Sequence, residues 1–155
     1  MRALVQRVDW AEVQEGGQVV GKIGPGLLVY VGVGSSDTPA QAAWLARKVA
    51  DLRIFEDEQG KLNLSVRDAR GSVLAVSNFT LLADARKGRR PSFVAAAPAE
   101  QALPVHQAFL EALRQAGLPL ASGVFGGSMQ IRSQAAGPVN VIIDTPDDAR
   151  GEQPC

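Results

Sequence analysis

Gly24-Pro25-Gly26-Leu27-Leu28-Val29-Tyr30-Val31-Gly32-Val33 decides the fold class of this chain. The Gly-Pro-Gly step is a turn, because proline presets one dihedral and glycine accepts the others. Residues 27–33 then form a continuous apolar run, short enough for a strand buried on both faces. Working outward, residues 2–8 read as a strand. Residues 11–14 and 18–23 flank Glu15-Gly16-Gly17 as the arms of a hairpin. Downstream, Ser35-Ser36-Asp37-Thr38-Pro39 supplies a cap residue and an early proline for a helix. Ala42, Leu45, Val49 and Leu52 give that helix one apolar face, flanked by Trp44 and Arg47-Lys48. It reads as a covering helix.

Asp57-Glu58-Gln59-Gly60 is a turn, and residues 73–76 form a strand leading into Ser77-Asn78-Phe79-Thr80-Leu81-Leu82. Residues 99–116 form a second helix, stopped by Gly117. Pro104 marks its true first turn, with residues 98–103 as a separate turn. Residues 120–125, 129–131 and 139–143 are three more strands. Short strands with two helices indicate an α+β fold: a curled antiparallel or mixed sheet, barrel-like, with both helices packed outside. Residues 1–145 form a single domain, and 146–155 a polar, frayed tail.

The chain has 155 residues, 46% of them apolar and 21% charged, which is ordinary for a globule with its own core. Sixteen basic residues balance 16 acidic ones, so no global field draws it to nucleic acid or membrane. Any such binding needs a local patch. Residues 84–93 contain one, with Arg86, Lys87, Arg89 and Arg90 followed by Phe93. No apolar stretch is long enough for a membrane span, and Arg7 and Asp9 interrupt any signal-peptide core, so the cytoplasm is the expected location.

Cys155 is the only cysteine and His106 the only histidine. An internal disulfide and a cysteine-based zinc site are excluded, and no metal site or cofactor is expected. A Ser-His-Asp hydrolase could use only His106, which reads as a partly exposed helix histidine. Gly24-Pro25-Gly26 and Gly32-Val33-Gly34 lack the spacing and following lysine of a phosphate loop. Glu56-Asp57-Glu58 has no histidine or EF-hand pattern and reads as a solvated turn.

Two segments remain. Ser77 and Thr80 are hydroxyls at a strand end, where backbone N–H groups can stabilise an oxyanion without a catalytic side chain. Gly137-Pro138, just before Val139-Asn140-Val141-Ile142-Ile143, is a rigid bend that offers carbonyl acceptors and few donors. Carbonyl oxygens suit an ammonium group.

Ser77-Asn78-Phe79-Thr80-Leu81, followed by Arg86-Lys87-Gly88-Arg89-Arg90-Pro91-Ser92-Phe93, is specific in combination. With Met1-Arg2-Ala3-Leu4-Val5-Gln6-Arg7-Val8, Gly123-Val124-Phe125-Gly126 and Gly137-Pro138-Val139, the chain resembles the D-aminoacyl-tRNA deacylases of the bacterial and eukaryotic type. The resemblance covers residues 1 to about 144. It implies hydrolysis of the ester between a D-amino acid, or mischarged glycine, and the terminal adenosine of tRNA, with L-aminoacyl-tRNA rejected. It implies no DNA or membrane partner, and a homodimer in which a cis Gly137-Pro138 enters the partner's site and selects chirality. Ser77, Phe79 and Thr80 would serve catalysis. Asn78, Phe125 and Met129 would bind substrate, Arg86, Lys87, Arg89 and Arg90 would hold tRNA, and the tRNA 2′-hydroxyl would assist.

Four places depart from the family pattern. Asn78 stands for the usual glutamine, Ala135 for asparagine, Asn140 for threonine, and Gly127-Ser128 also differ. They leave one alternative, a tRNA-binding module of the same fold with weak or no deacylase activity; an unrelated serine esterase using Ser77 and His106 is a separate one.

Overall fold

The computed structural model describes residues 1–146. Strand β1 spans Arg2–Glu15 and β2 spans Gln18–Ile23. They are joined by Gly16-Gly17, both at positive φ (56° and 80°), as the tight hairpin requires. The turn at Gly24-Pro25 leads into β3, Gly26–Gly32. Helix α1 (Pro39–Asp51) starts at Thr38, where Thr38 and Gln41 form a capping box and Pro39 occupies the first turn. A small ribbon, β4 (Phe55–Glu56) and β5 (Leu62–Leu64), precedes β6 (Ser72–Ser77). A 3₁₀ turn covers Phe79–Leu82. Helix α2 (Ala99–Gln115), β7 (Leu120–Ser122) and β8 (Met129–Asp144) complete the order.

The main sheet runs β2-β1-β3-β6-β7, with β8 on the other edge of β1. β3/β6 and β6/β7 are parallel, and their crossovers carry α1 and α2 respectively. Parallel neighbours need such long connections, so both helices end up outside the curl. The curl nearly closes where β2 meets β7: a Cβ on Gly21 would stand 2.8 Å from the Ser122 carbonyl oxygen.

Two apolar clusters line the two faces of the sheet. Leu27, Val29, Val31, Val73 and Ala75 face the helices with Leu45, Val49, Phe109 and Leu113. Leu28, Leu74 and Val76 fill the interior with Val8, Ala11, Val13 and Ile23. β3 is therefore buried on both faces, which is why it reads as an unbroken apolar run.

Residues 2–8 and 11–14, expected as separate strands, form one strand. The register against β8 slips between Val8 and Trp10, so two steps on β1 face one on β8. That bulge swaps the parity: Ala3 and Val5 point to the helix side, Ala11 and Val13 to the interior. The expected strands at 129–131 and 139–143 are likewise one strand. β8 pairs with β1 from end to end, and besides the slip at Val8/Trp10 its ladder breaks where Gln6↔Asn140 gives way to Val8↔Ala135. Across that gap residues 136–139 bulge out opposite Arg7. The strand expected at 120–125 stops at Ser122, before the turn that carries Phe125 and Gly126.

Pro104 lies inside α2 and does not start it. Its ring is exposed, while Ala102, Val105, Phe109 and Leu113 beside it are buried. The helix loses one backbone bond and keeps its core face. The polar tail expected from residue 146 lies, beyond Pro146, outside the described residues. Among the described residues no helix is long and apolar enough to cross a membrane.

Candidate active site

The carboxyl ends of the parallel pair β3/β6 open onto a pocket of about 580 Å³. Open sheets commonly bind ligands beyond such strand ends. β3 contributes Tyr30 and Val31, and β6 with its extension contributes Val76, Ser77, Asn78 and Phe79. Ala99, Ala102 and His106 contribute from one face of α2, Phe125 from the β7–β8 connection and Met129 from the start of β8. Small residues on α2 keep the space open. Gly123 does the same for Met129, whose thioether lies where a Cβ of residue 123 would be.

Ser77 to Thr80 are placed by backbone bonds. Asn78 N–H donates to the Val31 carbonyl (2.8 Å), which extends the β3/β6 ladder by one residue. Asn78 then caps the 3₁₀ turn. Its Oδ1 accepts from Thr80 N–H (3.1 Å) and from the Thr80 hydroxyl (2.5 Å). The short asparagine thus holds its own turn, a local bond that Asn favours. Thr80 itself is exposed and lies outside the pocket lining, with its N–H engaged by Asn78.

His106 corrects the sequence reading. It is 4% exposed and not a partly exposed surface residue. It lies on the buried face of α2 with Ala102, Val105, Phe109 and Leu110, a helical spacing that could have revealed it. Its ring stands 5.6 Å from that of Phe125, tilted by 43°. Nδ1 is buried without a hydrogen-bond partner, and burial pushes the imidazole down from 6.5 to about 4. A base that weak is poorly matched to general-base work at neutral pH, which argues against a Ser77/His106 esterase although both line the pocket. Tyr30, also missed, is half-buried, and burial raises its phenol, so it stays protonated there.

Gly137 and Pro138 lie outside this pocket, exposed on the β8 bulge. Their peptide bond is cis, and Gly137 has φ 122°, a region that favours glycine. Arg7, expected from the sequence to break any signal-peptide core, anchors the bulge. Its Nε donates to the Ala136 carbonyl (3.2 Å) and its Nη1 to the Ile54 carbonyl (2.9 Å), with Glu56 at 3.5 Å. An arginine inside a strand of apolar residues was the available signal. Asn140 bonds Gln6 across the strands (Nε2–Oδ1 2.9 Å), so this departure brings its own tie.

The basic loop is closed at its base by reciprocal Asp84/Ser92 backbone bonds of 2.8 Å. Arg86 is engaged there: its Nε and Nη2 reach the Asp84 carboxylate at 2.9 and 2.7 Å. Those bonds hold the Asp84 carboxyl below the usual carboxylate range and raise the Arg86 guanidinium. Lys87, Arg89 and Arg90 are exposed. Phe93, beyond them, meets Phe79 edge to face at 5.1 Å. Among the described residues no three His, Cys, Asp or Glu side chains form a metal-binding group. Asp57 instead caps its own turn through Gln59 and Lys61 N–H at 2.9 and 3.0 Å.

The chain as a whole has counterparts among known proteins. The model of the family described as D-Tyr-tRNA(Tyr) deacylase matches residues 4–144, and this chain belongs to that family. It is 51% identical to the D-aminoacyl-tRNA deacylase of Thermus aquaticus over 94% of this chain and 95% of that protein. It is 53% identical to that of Chloroflexus aurantiacus, over 94% and 91%. A solved structure described as c-Myc DNA Unwinding Element Binding Protein superposes with a TM-score of 0.88 at 41% identity, covering 94% of this chain and 99% of that one. A probable eukaryotic D-amino acid tRNA deacylase shares the fold, with a TM-score of 0.79 at 18% identity over 92% and 97%.

Proposed function

We propose that this protein is a D-aminoacyl-tRNA deacylase, a hydrolase that cleaves the ester between a D-amino acid, or mischarged glycine, and the terminal adenosine of tRNA. One observation carries the reading. Ser77, Asn78, Phe79, Phe125 and Met129 share a pocket, while Gly137-Pro138 stands exposed outside it. The bend then acts in a second copy's pocket. Its carbonyls take the substrate ammonium, and its backbone leaves no room for an L side chain. β8 supports such a homodimer, since its outer residue Ile142 is 67% exposed.

The terminal adenosine lies between Phe125 and Met129, with its ester at the 77–80 turn. Water adds to the ester carbonyl, the developing oxyanion meets the Phe79 N–H at the start of the turn, since the N–H groups of Asn78, Thr80 and Leu81 are already engaged, and the ribose oxygen leaves with a proton. The neighbouring 2′-hydroxyl of the substrate serves as the proton carrier, so positioning and preorganised donors suffice. Asn78 keeps the turn in shape and orients Thr80. Lys87, Arg89 and Arg90 contact tRNA phosphates, and Arg86, tied to Asp84, shapes their loop. The reaction belongs to the cytoplasm, where tRNA is charged.

Release of amino acid from D-tyrosyl-tRNA and L-tyrosyl-tRNA tests this reading. Release from the D ester alone is expected. Equal release from both overturns it, and tRNA binding without turnover supports a binding module instead.

A further inference from the structure

Phe79 is 57% exposed and Phe93 37% exposed, although they touch each other. Because they touch, they form one contiguous exposed apolar patch, and such a patch, unlike scattered single rings, marks an interaction surface. An edge-to-face pair hides less ring face than an offset stack, so flat surface stays open to a ligand. Phe79 lines the pocket mouth, and Phe93 follows Arg89-Arg90-Pro91-Ser92 on the basic loop. The pair therefore leads from the pocket toward the exposed cations.

The loop is held in place at both ends. Asp84 and Ser92 close its base, while Ser35 N–H to the Ala95 carbonyl (3.2 Å) and Ala97 N–H to the Val33 carbonyl (2.9 Å) fasten its return to the pocket wall. A preorganised aromatic step beside free cations is the composition that binds unpaired nucleic acid. Bases stack on the rings and phosphates meet the cations.

We propose that Phe79 and Phe93 form a stacking platform for the unpaired base that precedes the terminal adenosine, with Arg89 and Arg90 on its phosphates. This rests on the deacylase reading, which puts the terminal adenosine in the pocket. The platform separates affinity for the tRNA end from chemistry at the ester. Phe93 touches the polynucleotide and not the reacting atoms.

The test compares two substrates, D-tyrosyl-tRNA and D-tyrosyl-adenosine, which lacks the preceding nucleotides. Phe93→Ala is expected to raise KM for the tRNA roughly ten-fold, the scale of one lost base–aromatic stack. Both kcat and KM for the adenosine ester stay unchanged. Phe93→Trp restores the tRNA KM, and Phe93→Leu does not. Equal losses on both substrates, no loss on tRNA, or full rescue by Phe93→Leu would each overturn the platform.

A binding arm is independent of turnover. An uncharged tRNA with 2-aminopurine before the terminal adenosine should lose fluorescence on binding the wild-type protein and keep it with Phe93→Ala. If the wild-type protein quenches but hydrolyses neither ester, the deacylase reading fails and the platform stands. If it hydrolyses D-tyrosyl-tRNA but does not quench, the platform fails alone.

Discussion

Two apolar strands of this chain look alike in sequence and have different fates. β3 carries Leu27, Leu28, Val29 and Val31, all at 0 or 1% exposure. The second half of β8 carries Val139, Val141, Ile142 and Ile143, of which only Ile143 is buried and Ile142 is 67% exposed. The difference is in the neighbours. β3 has β1 on one edge, β6 on the other, and apolar clusters on both faces. β8 pairs only with β1 among the described strands. Apolarity puts both segments in a sheet, but position in the sheet makes one a core and leaves the other partly exposed. The same division separates the pocket, built at the end of β3, from the Gly-Pro bulge, carried by β8.

Leu28→Ala would break the comparison most severely. Removing a fully buried side chain from the interior cluster should cost about 2–5 kcal/mol in denaturant unfolding. Ile142→Ser should change monomer stability by less than about 0.5 kcal/mol and weaken dimer formation in sedimentation experiments. Similar stability losses at the two sites would show that β8 is core after all.

Gly137→Ala tests the β8 side. A Cβ there would lie 2.8 Å from Val139 Cγ2, 2.9 Å from Val139 N and 3.1 Å from Arg7 Nη2, at a φ of +122°. The bulge must shift, and preference for D over L esters should fall by roughly 100-fold, the scale of a misplaced positioning group. Unfolding midpoints should move little, because the bulge is exposed. Unchanged selectivity would remove the bend from chirality selection.

His106 sharpens the pocket side through pH. Its pKa is lowered on folding, from 6.5 to about 4, so the unfolded chain binds the proton more tightly. Stability is complete above pH 6.5 and falls as pH drops toward 4, by at most roughly 3 kcal/mol. The shifted carboxylates Asp57, Asp68, Asp84 and Asp144 are lowered from 3.8 and lose their contribution only below that window. His106→Gln should flatten the slope between pH 6.5 and 4, and an identical slope in the variant would contradict the burial.

Asn78→Ala should have the smallest effect on catalysis. It removes the cap on Thr80, worth about 1 kcal/mol, and should lower kcat several-fold with KM little altered. Asn78→Asp retains an acceptor and should restore most of it. Loss in KM alone would make Asn78 a substrate contact and not a holder of the turn.

Much of this was readable in the chain. The β3 run, the Gly16-Gly17 turn, the Thr38-Pro39 helix start and the 77–81 turn rest on local chemistry, which sequence carries directly. The continuity of β1 was hidden by its bulge, because a parity swap looks like the end of a strand. β8 was hidden by a proline placed where the ladder is interrupted anyway. Pro104 was misleading because the buried face of α2 outweighs one missing bond.

The sequence by itself determined the fold class, the pocket-side motif at Ser77 to Leu81 and the bend at Gly137-Pro138, since each is a short-range pattern of residue type. Only the tertiary structure decided that Arg7 fastens that bend and that His106 is buried in the pocket wall. It alone also decided that the bend stands outside its own pocket. Those facts depend on contacts between residues remote in the chain, Arg7 with Ile54 and Ala136, and His106 with Phe125, and local periodicity does not encode such distances.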